Sequence, residues 1–205
     1  MRFLNDWPRL LERSVRTLGR GARLYGNNGS WRAWVQGTSY ILRGLAGRAL
    51  PQSVCLATTY RCQCNCSNCY AAAKERENAG EMSTEELKAV IDAIRTLGAI
   101  HLNITGGEPL LREDILDLVA HAHASGLITR ISTNGYLLTR ERVAALRRAG
   151  LNQCGVAIDD ADPDTHDRLR GLPGLFEKAI QGFRLLHEFG IESRLVTYAC
   201  HGNMP

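Results

Sequence analysis

Four of the seven cysteines of this sequence fall within eight residues, at Cys62, Cys64, Cys66 and Cys69. A disulfide needs Cα atoms about 4.4 to 6.8 Å apart with converging Cβ vectors, so these four cannot easily pair with one another. Thiolates are the ligands of iron–sulfur clusters, and three thiols spaced C-x3-C-x2-C can converge on a compact cluster. Three protein ligands leave one of four irons open to a substrate or cofactor. The spacing therefore favours an iron–sulfur site on Cys62, Cys66 and Cys69.

Two other interpretations of the thiols stay open. A zinc ion could be held by all four, although a closed tetrahedral zinc site usually recruits two pairs of ligands from separated segments. The thiols could also form a redox-active or incidental group. Cys64 is the surplus residue in the iron–sulfur interpretation, and we expect it to be a small buried apolar side chain.

The segments that must position these thiols alternate regularly after Pro51. Strands are predicted over 53–58, 100–105, 127–132, 153–158 and 192–198, and helices over 83–97, 111–124, 139–148 and 175–189. Ser83 and Glu86 form a capping-box pattern at the start of the first of these helices. Strict alternation of strand and helix implies parallel strands with right-handed crossovers, and hence an α/β sheet or barrel.

Length and composition set limits on this fold. The chain has 205 residues, of which 44% are hydrophobic and 22% charged, which disfavours disorder, collagen and a membrane bundle. Five strands stop short of the eight strands and about 250 residues of a full (β/α)8 barrel. We therefore expect either a smaller, open barrel or a sequence that lacks its C-terminal part.

Further motifs follow the other strands, and together they carry a resemblance. These motifs are Gly106-Gly107-Glu108-Pro109, Ser132-Thr133-Asn134-Gly135, Ala157-Ile158-Asp159-Asp160 and His166-Asp167-Arg168-Leu169-Arg170-Gly171. With the cysteine motif, and in this order, they make residues 53–205 resemble the radical S-adenosylmethionine (SAM) enzymes. The resemblance is to the branch that includes molybdenum-cofactor, haem-biosynthesis and SPASM-type peptide-modifying proteins.

The resemblance implies a function for each motif. Cys62, Cys66 and Cys69 would ligate a 4Fe-4S cluster whose open iron binds SAM, and one electron would split SAM into methionine and a 5'-deoxyadenosyl radical that abstracts hydrogen from a substrate. Gly106, Gly107 and Glu108 would meet the methionine amino group, and Arg170 the SAM carboxylate. Asn134 and Asp159 would line the cavity. His166, taken singly, is interpreted as a cap or surface residue.

The resemblance also implies the fold and the partners. We expect a partial (β/α) TIM-like barrel, truncated after about five strands of a (β/α)6 core, and an external low-potential electron donor of the flavodoxin or ferredoxin type. The substrate could be a peptide, a tetrapyrrole precursor or another small molecule. The alternative is a truncated, catalytically inactive cluster-binding protein or scaffold.

The first fifty residues differ from the rest. They contain nine Arg, no Lys and two acidic residues, a net charge of +7, whereas residues 51–205 carry −3. We predict two domains, a basic amphipathic helical preface over 1–50 and a C-terminally incomplete core over 51–205. Apolar residues recur at helical spacing over 3–18 and again from Trp31 to Ala49, before Pro51. The apolar faces of these helices could pack on the barrel or on each other, or the helices could contact a membrane surface or a protein; nucleic acid is disfavoured. Without an export signal, we expect a cytoplasmic protein, with membrane association left open.

Overall fold

A computed structural model describes residues 31–47, 50–71, 80–199 and 203 of the chain. The helix predicted over 3–18 lies outside the described residues. In the described part, strands and helices alternate as the sequence predicts, apart from one extra helix between the last two strands. The helix predicted from Trp31 to Ala49 precedes the first strand and spans Trp31–Leu45.

Five parallel strands form one sheet in the order of the sequence. They are β1 (Ser53–Thr59), β2 (His101–Gly106), β3 (Ile128–Thr133), β4 (Gln153–Ala157) and β5 (Glu192–Val196). Each strand pairs with the next along the chain, from Val54 opposite Leu102 to Ala57 opposite Thr105 in the first pair. Because every crossover runs in the same direction with the same hand, the helices lie on one face and the sheet winds as a barrel does. Within the described residues, β1 and β5 are its two edges.

The helices begin and end where local chemistry favours it. They are α1 (Trp31–Leu45), α2 (Thr84–Leu97), α3 (Ile115–Ala124), α4 (Arg140–Arg148), α5 (Pro163–Arg170) and α6 (Leu175–Glu188). The capping box of Ser83 and Glu86 is present at α2, which confirms that prediction, and the Thr139 hydroxyl accepts the amide of Arg142 at α4.

Two local features differ from the sequence prediction. The segment predicted as one helix over 111–124 is a 3-10 turn, Pro109–Leu111, followed by α3, which begins only at Ile115. Helix α5 was not predicted, although Asp162 caps it and Pro163 occupies its first position. Because α5 is only eight residues long, its apolar periodicity is too weak to reveal it, and the start at Asp162 and Pro163 is its main sequence signal.

The core lies between the sheet and the helices. Its fully buried side chains include Ile104 and Ile131 from the strands, and Leu118, Leu146 and Leu186 from the helices. Because the strands are fixed by this core, the loops that follow their carboxyl ends are held in defined positions.

Helix α1 packs at the amino ends of the strands, at the end of the sheet opposite the loops that follow the carboxyl ends. The Gln36 side chain donates hydrogen bonds to the carbonyl oxygens of Arg95, at 3.2 Å, and Ala99, at 3.0 Å. These carbonyls lie at the end of α2 and just before β2, so α1 lies where β2 begins. None of the described helices is long and apolar enough to cross a membrane.

Candidate functional site

The loop that carries the cysteines leaves β1 at the carboxyl edge of the sheet and packs directly against the Gly-Gly segment after β2. The amides of Gly107 and Glu108 donate to the carbonyls of Thr59 and Arg61, at 2.7 and 2.8 Å. A Cβ atom at Gly106, where φ is +141°, would lie 2.1 Å from the Thr59 carbonyl oxygen, and one at Gly107 would lie 2.4 Å from that of Arg61. Both glycines are therefore required for the close approach of these two loops.

The same loop is held on its other side by the unpredicted helix α5. The amides of Asn65 and Ser67 donate to the carbonyl oxygens of Arg170, at 2.9 Å, and Leu169, at 3.0 Å. These are carbonyls that a helix leaves unsatisfied at its C-terminus. Gly171 follows in the left-handed conformation, and a Cβ there would lie 2.6 Å from the Asn65 carbonyl oxygen. The loop and the end of α5 thus complete each other's backbone hydrogen bonding.

Asn134, after β3, reaches into the cysteine loop. Its amide nitrogen lies 3.3 Å from the Cys64 sulfur, and its oxygen accepts the Gln63 side-chain amide at 3.2 Å. The same oxygen accepts the backbone amide of Tyr136 at 2.9 Å, which fixes the side chain in place. Asn134 therefore lies beside the thiols and holds their loop to the end of β3, and its place in the lining of a SAM cavity stays a prediction.

The thiols differ in exposure. Cys64 is buried, as expected from the sequence, whereas Cys62 and Cys66 are half-buried and Cys69 is exposed. A hydrogen bond with Cys64 lowers the pKa of the Cys62 thiol. A second hydrogen bond with Cys64, together with the nearby Arg170 guanidinium, lowers the pKa of Cys66 to about 6. The same hydrogen bonds, with burial, raise the pKa of Cys64. Both shifts make the thiolate, the form that iron binds, easier to reach at Cys62 and Cys66 than in a free cysteine.

The three predicted ligands, Cys62, Cys66 and Cys69, lie on one loop. Among the described residues, no three histidine, cysteine, aspartate or glutamate side chains are close enough to hold a metal ion. The donor chemistry fits a 4Fe-4S cluster, because three thiols share one loop at the carboxyl edge and the pKa values of two of them are lowered.

Glu108 is completely buried and fully engaged with the protein. Its oxygens accept the Thr133 hydroxyl and the Asn134 amide, each at 2.8 Å, and the Leu110 amide at 3.1 Å. Burial raises the pKa of its carboxyl group, against these hydrogen bonds. In this arrangement Glu108 ties the ends of β2 and β3 together, and its contact with a ligand stays a prediction.

Arg170 and Asp159 form a nearly buried ion pair beside the thiols. The Arg170 Nη2 donates to Asp159 Oδ1 at 2.9 Å, and its Nε lies 2.6 Å from Oδ2 without pointing its hydrogen at that oxygen. Its Nη1 lies 3.9 Å from the Cys66 sulfur. The structure thus brings two predicted SAM contacts together next to a predicted cluster ligand.

His166 is buried, not the surface or cap residue that the sequence suggests. Its Nδ1 accepts the backbone amide of Asp159 at 3.1 Å, which places the proton on Nε2. Burial lowers the pKa of the ring, so it is held neutral. Its ring packs edge-on against Phe176, with centroids 5.6 Å apart. His166 therefore positions the backbone that carries Asp159.

An ionic cluster that the sequence analysis missed fixes the carboxyl end of β1, where the cysteine loop begins. Arg112 donates to the Thr58 carbonyl at 3.0 Å and to both oxygens of Asp114 at 2.7 Å. Glu81 accepts from Thr59 and forms an ion pair with Arg61 at 2.9 Å. These partners come from separate segments, so no local sequence signal could have revealed the cluster.

The sequentially wound α/β sheet and a three-thiol loop at its carboxyl edge together define a class of protein. The model of the Radical SAM superfamily matches residues 56–203. The chain belongs to this superfamily, whose cofactors are a 4Fe-4S cluster and S-adenosylmethionine, as the motifs predict.

Curated relatives are similar over most of this chain. An AdoMet-dependent heme synthase of Oleidesulfovibrio alaskensis is 35% identical over 147 residues, which cover 72% of this chain and 38% of the relative. An Fe-coproporphyrin III synthase of Methanosarcina barkeri is 41% identical over 134 residues, which cover 65% of this chain and 33% of the relative. The chain thus spans between a third and two fifths of the length of these relatives.

A solved structure shares the fold. SuiB of Streptococcus suis, crystallised with the precursor peptide SuiA, has a TM-score of 0.63 and 20% identity, and the match covers 71% of this chain and 32% of SuiB. The same protein bound to S-adenosylmethionine matches the same shares of both chains with a TM-score of 0.60 and 20% identity. The shared fold agrees with the partial (β/α) TIM-like barrel predicted from the sequence.

Proposed function

We propose that this chain is the SAM-binding part of a radical SAM enzyme, with Cys62, Cys66 and Cys69 as ligands of a 4Fe-4S cluster. The observation that carries the proposal is the fixation of the cysteine loop on three sides, by the Gly106–Gly107 backbone, by Asn134 and by the end of α5. When bound, the cluster supplies the electron that cleaves SAM into methionine and a 5'-deoxyadenosyl radical, which abstracts hydrogen from the substrate.

The residues around the loop bind and orient SAM in this proposal. Arg170 offers a planar guanidinium to the SAM carboxylate, and Asp159 holds that guanidinium in place until SAM binds. The backbone carbonyls of Gly106 and Gly107 are acceptors suited to the methionine ammonium group. Glu108 and Asn134 orient the ends of β2 and β3 that line this cavity, and Cys64 fills the interior of the loop.

For the substrate, we propose an iron–tetrapyrrole or its precursor. The support is the similarity to proteins named AdoMet-dependent heme synthase and Fe-coproporphyrin III synthase, at 35% and 41% identity. The fold neighbour crystallised with a precursor peptide makes a peptide the second candidate. We further propose residues 51–205 as the catalytic portion, residues 1–50 as a separate preface, and an external flavodoxin or ferredoxin as the electron donor.

The test is anaerobic reconstitution of the full chain with iron and sulfide. We expect about four irons per chain, an absorbance that bleaches with dithionite, and 5'-deoxyadenosine on addition of SAM. Cys66→Ser is expected to lose the cluster. The matched control is Cys55→Ser, because Cys55 is an exposed thiol on β1 outside the loop and its replacement is expected to leave iron content unchanged.

The alternatives predict other results. Cluster without SAM cleavage indicates the catalytically inactive scaffold, and a colourless protein that contains zinc indicates a structural zinc module. Equal iron loss in the Cys55 and Cys66 variants contradicts the ligand assignment. Binding of Fe-coproporphyrin and of a peptide can be compared by absorbance and calorimetry on the reconstituted protein, and preference for the peptide contradicts the substrate proposal.

A further inference from the structure

Helix α1 packs on the body of the protein with its polar side. Gln36 donates to two carbonyls of the α2 end, and the Arg43 guanidinium lies 3.2 Å from the position that a Cβ at Gly98 would take. Ser39 and Tyr40 are half-buried, and Gly37 is buried. The side of α1 that contacts the body is thus formed by polar and small residues.

The apolar side of the same helix is exposed. Its side chains retain large exposed fractions, which are 56% for Val35, 43% for Ile41, 61% for Leu42 and 80% for Leu45. Leu42 lies seven residues, or about two turns, after Val35, and Leu45 follows Ile41 by four residues and Leu42 by three, so all four lie along one side of the helix. A surface helix normally turns such a side toward the core. The sequence-based expectation that the apolar face of this helix packs on the barrel therefore fails for the described residues.

The sequence segment that contains this helix is strongly positive. Residues 1–50 hold nine Arg and two acidic residues, and α1 itself contains no Asp or Glu. The sequence of α1 also contains two tryptophans, Trp31 and Trp34. An amphipathic helix with an apolar side, tryptophan and neighbouring arginines suits the interface of a membrane with anionic lipids, where apolar burial and electrostatic attraction add.

We propose that α1 docks on an anionic membrane surface, with the side formed by Val35, Ile41, Leu42 and Leu45 inserted at the lipid headgroups. Because α1 lies where β2 begins, this contact is at the opposite end of the sheet from the cysteine loop. The site therefore stays open to its ligands while α1 lies on the lipid. The proposal does not depend on the reaction that the site performs.

The test is co-sedimentation of the full chain with vesicles of phosphatidylcholine mixed with phosphatidylglycerol, and with vesicles of phosphatidylcholine alone. We expect binding to the anionic vesicles that weakens as salt is raised, because the electrostatic part is screened. The double substitution Leu42→Glu with Leu45→Glu is expected to weaken binding at least about tenfold, since two inserted leucines are lost. The control is Leu195→Glu, an exposed leucine on β5 that is 54% accessible, and it is expected to bind as the parent chain does.

Three results overturn the proposal. One is failure of the chain to bind anionic vesicles at low salt, and a second is equal binding by the parent and the double variant. The third is a change in molar mass by light scattering, or a loss of thermal stability, in the double variant without lipid. That result indicates that a second copy, or another segment of this chain, covers the apolar side of α1.

Discussion

The backbone amide of Asn65 donates a hydrogen bond to the carbonyl oxygen of Arg170 at 2.9 Å, so the cysteine loop caps the C-terminus of α5. The carbonyl of Leu169 is used in the same way by Ser67. A helix end normally finds such partners in its own following residues or in water. Here the partners come from the loop after β1, and the two segments are expected to be ordered or displaced together.

Substitution of Gly171 tests the coupling between the cysteine loop and the end of α5. Alanine at this position needs a left-handed backbone and brings its Cβ to 2.6 Å from the Asn65 carbonyl oxygen. Gly174→Ala is the matched control, because Gly174 also has positive φ, +76°, but nothing lies within 4 Å of a Cβ there. The backbone cost is about 1 kcal/mol in both variants. We expect Gly171→Ala to lose at least about 1 kcal/mol more, in urea unfolding, because of the added clash. Iron content after reconstitution should fall in Gly171→Ala alone, and equal losses in both variants contradict the coupling.

Asn134 is predicted to keep the interior of the cysteine loop closed. Asn134→Ala removes its contacts with Cys64, Gln63 and the Tyr136 amide, and we expect faster alkylation of Cys64, which is only 3% exposed in the parent chain. The measurement is the rate of iodoacetamide labelling of the apoprotein, resolved by residue with mass spectrometry. Cys154, a fully buried residue of β4, serves as an internal control. If Cys154 is labelled in parallel, global unfolding accounts for the result and the assignment to Asn134 is wrong.

These two cases show how far the sequence could predict the site. The residue types and their order along the chain predicted the cysteine loop, the Gly106–Gly107 segment and the position of Asn134, because the carboxyl ends of parallel strands converge. The capping box at Ser83 was predictable because its partners are three residues apart. Helix α5 was missed, although its start at Asp162 and Pro163 carried a usable signal.

Other features depend on contacts between distant segments and have no local signal. The burial of Glu108 follows from hydrogen bonds with Thr133 and Asn134 on the next strand. The outward apolar side of α1 follows from the fit of Gln36 onto the end of α2. Amphipathicity identifies the two sides of a helix, but it does not determine which side packs against the rest of the molecule.

The Arg112–Asp114 pair is predicted to make stability depend on acid pH. The hydrogen bond from Arg112 lowers the pKa of Asp114, so the folded state binds its proton less readily than the unfolded chain does. The stabilisation is present above the unfolded pKa and is lost as pH falls through the folded pKa. At neutral pH, Asp114→Asn is expected to cost about 2 kcal/mol, because Arg112 stays nearly buried. Below about pH 4 the parent chain should approach the variant.

Urea titrations at a series of pH values measure this effect. Glu188→Gln is the control. The Arg140–Glu188 ion pair is also bidentate, with nitrogen–oxygen distances of 2.6 and 2.7 Å, but it is exposed to solvent. Its removal is expected to change the free energy of unfolding little. A constant difference between the parent chain and Asp114→Asn down to low pH contradicts the assignment.

Substitutions of Arg170 and of Asp159 are predicted to distinguish SAM binding from structural support of the site. If Arg170 binds the SAM carboxylate, Arg170→Gln should raise the Kd for SAM at least about tenfold, through loss of a charge-assisted hydrogen bond. Asp159→Asn breaks the same ion pair but keeps the guanidinium, and we expect little change in that Kd. Isothermal titration of the reconstituted chain with SAM measures both. Equal effects of the two substitutions assign Arg170 a structural function only.

The strict neighbour-to-neighbour order of the five strands also bears on how the chain folds during synthesis. Because β2 pairs with β1, β3 with β2 and so on, each strand finds its partner in the segment made just before it. Loop closure then spans one strand–helix unit at a time, which keeps its entropic cost small. A nascent chain can add these units as they leave the ribosome. The cysteine loop is an exception, since its cap on α5 forms only after four strands have been translated.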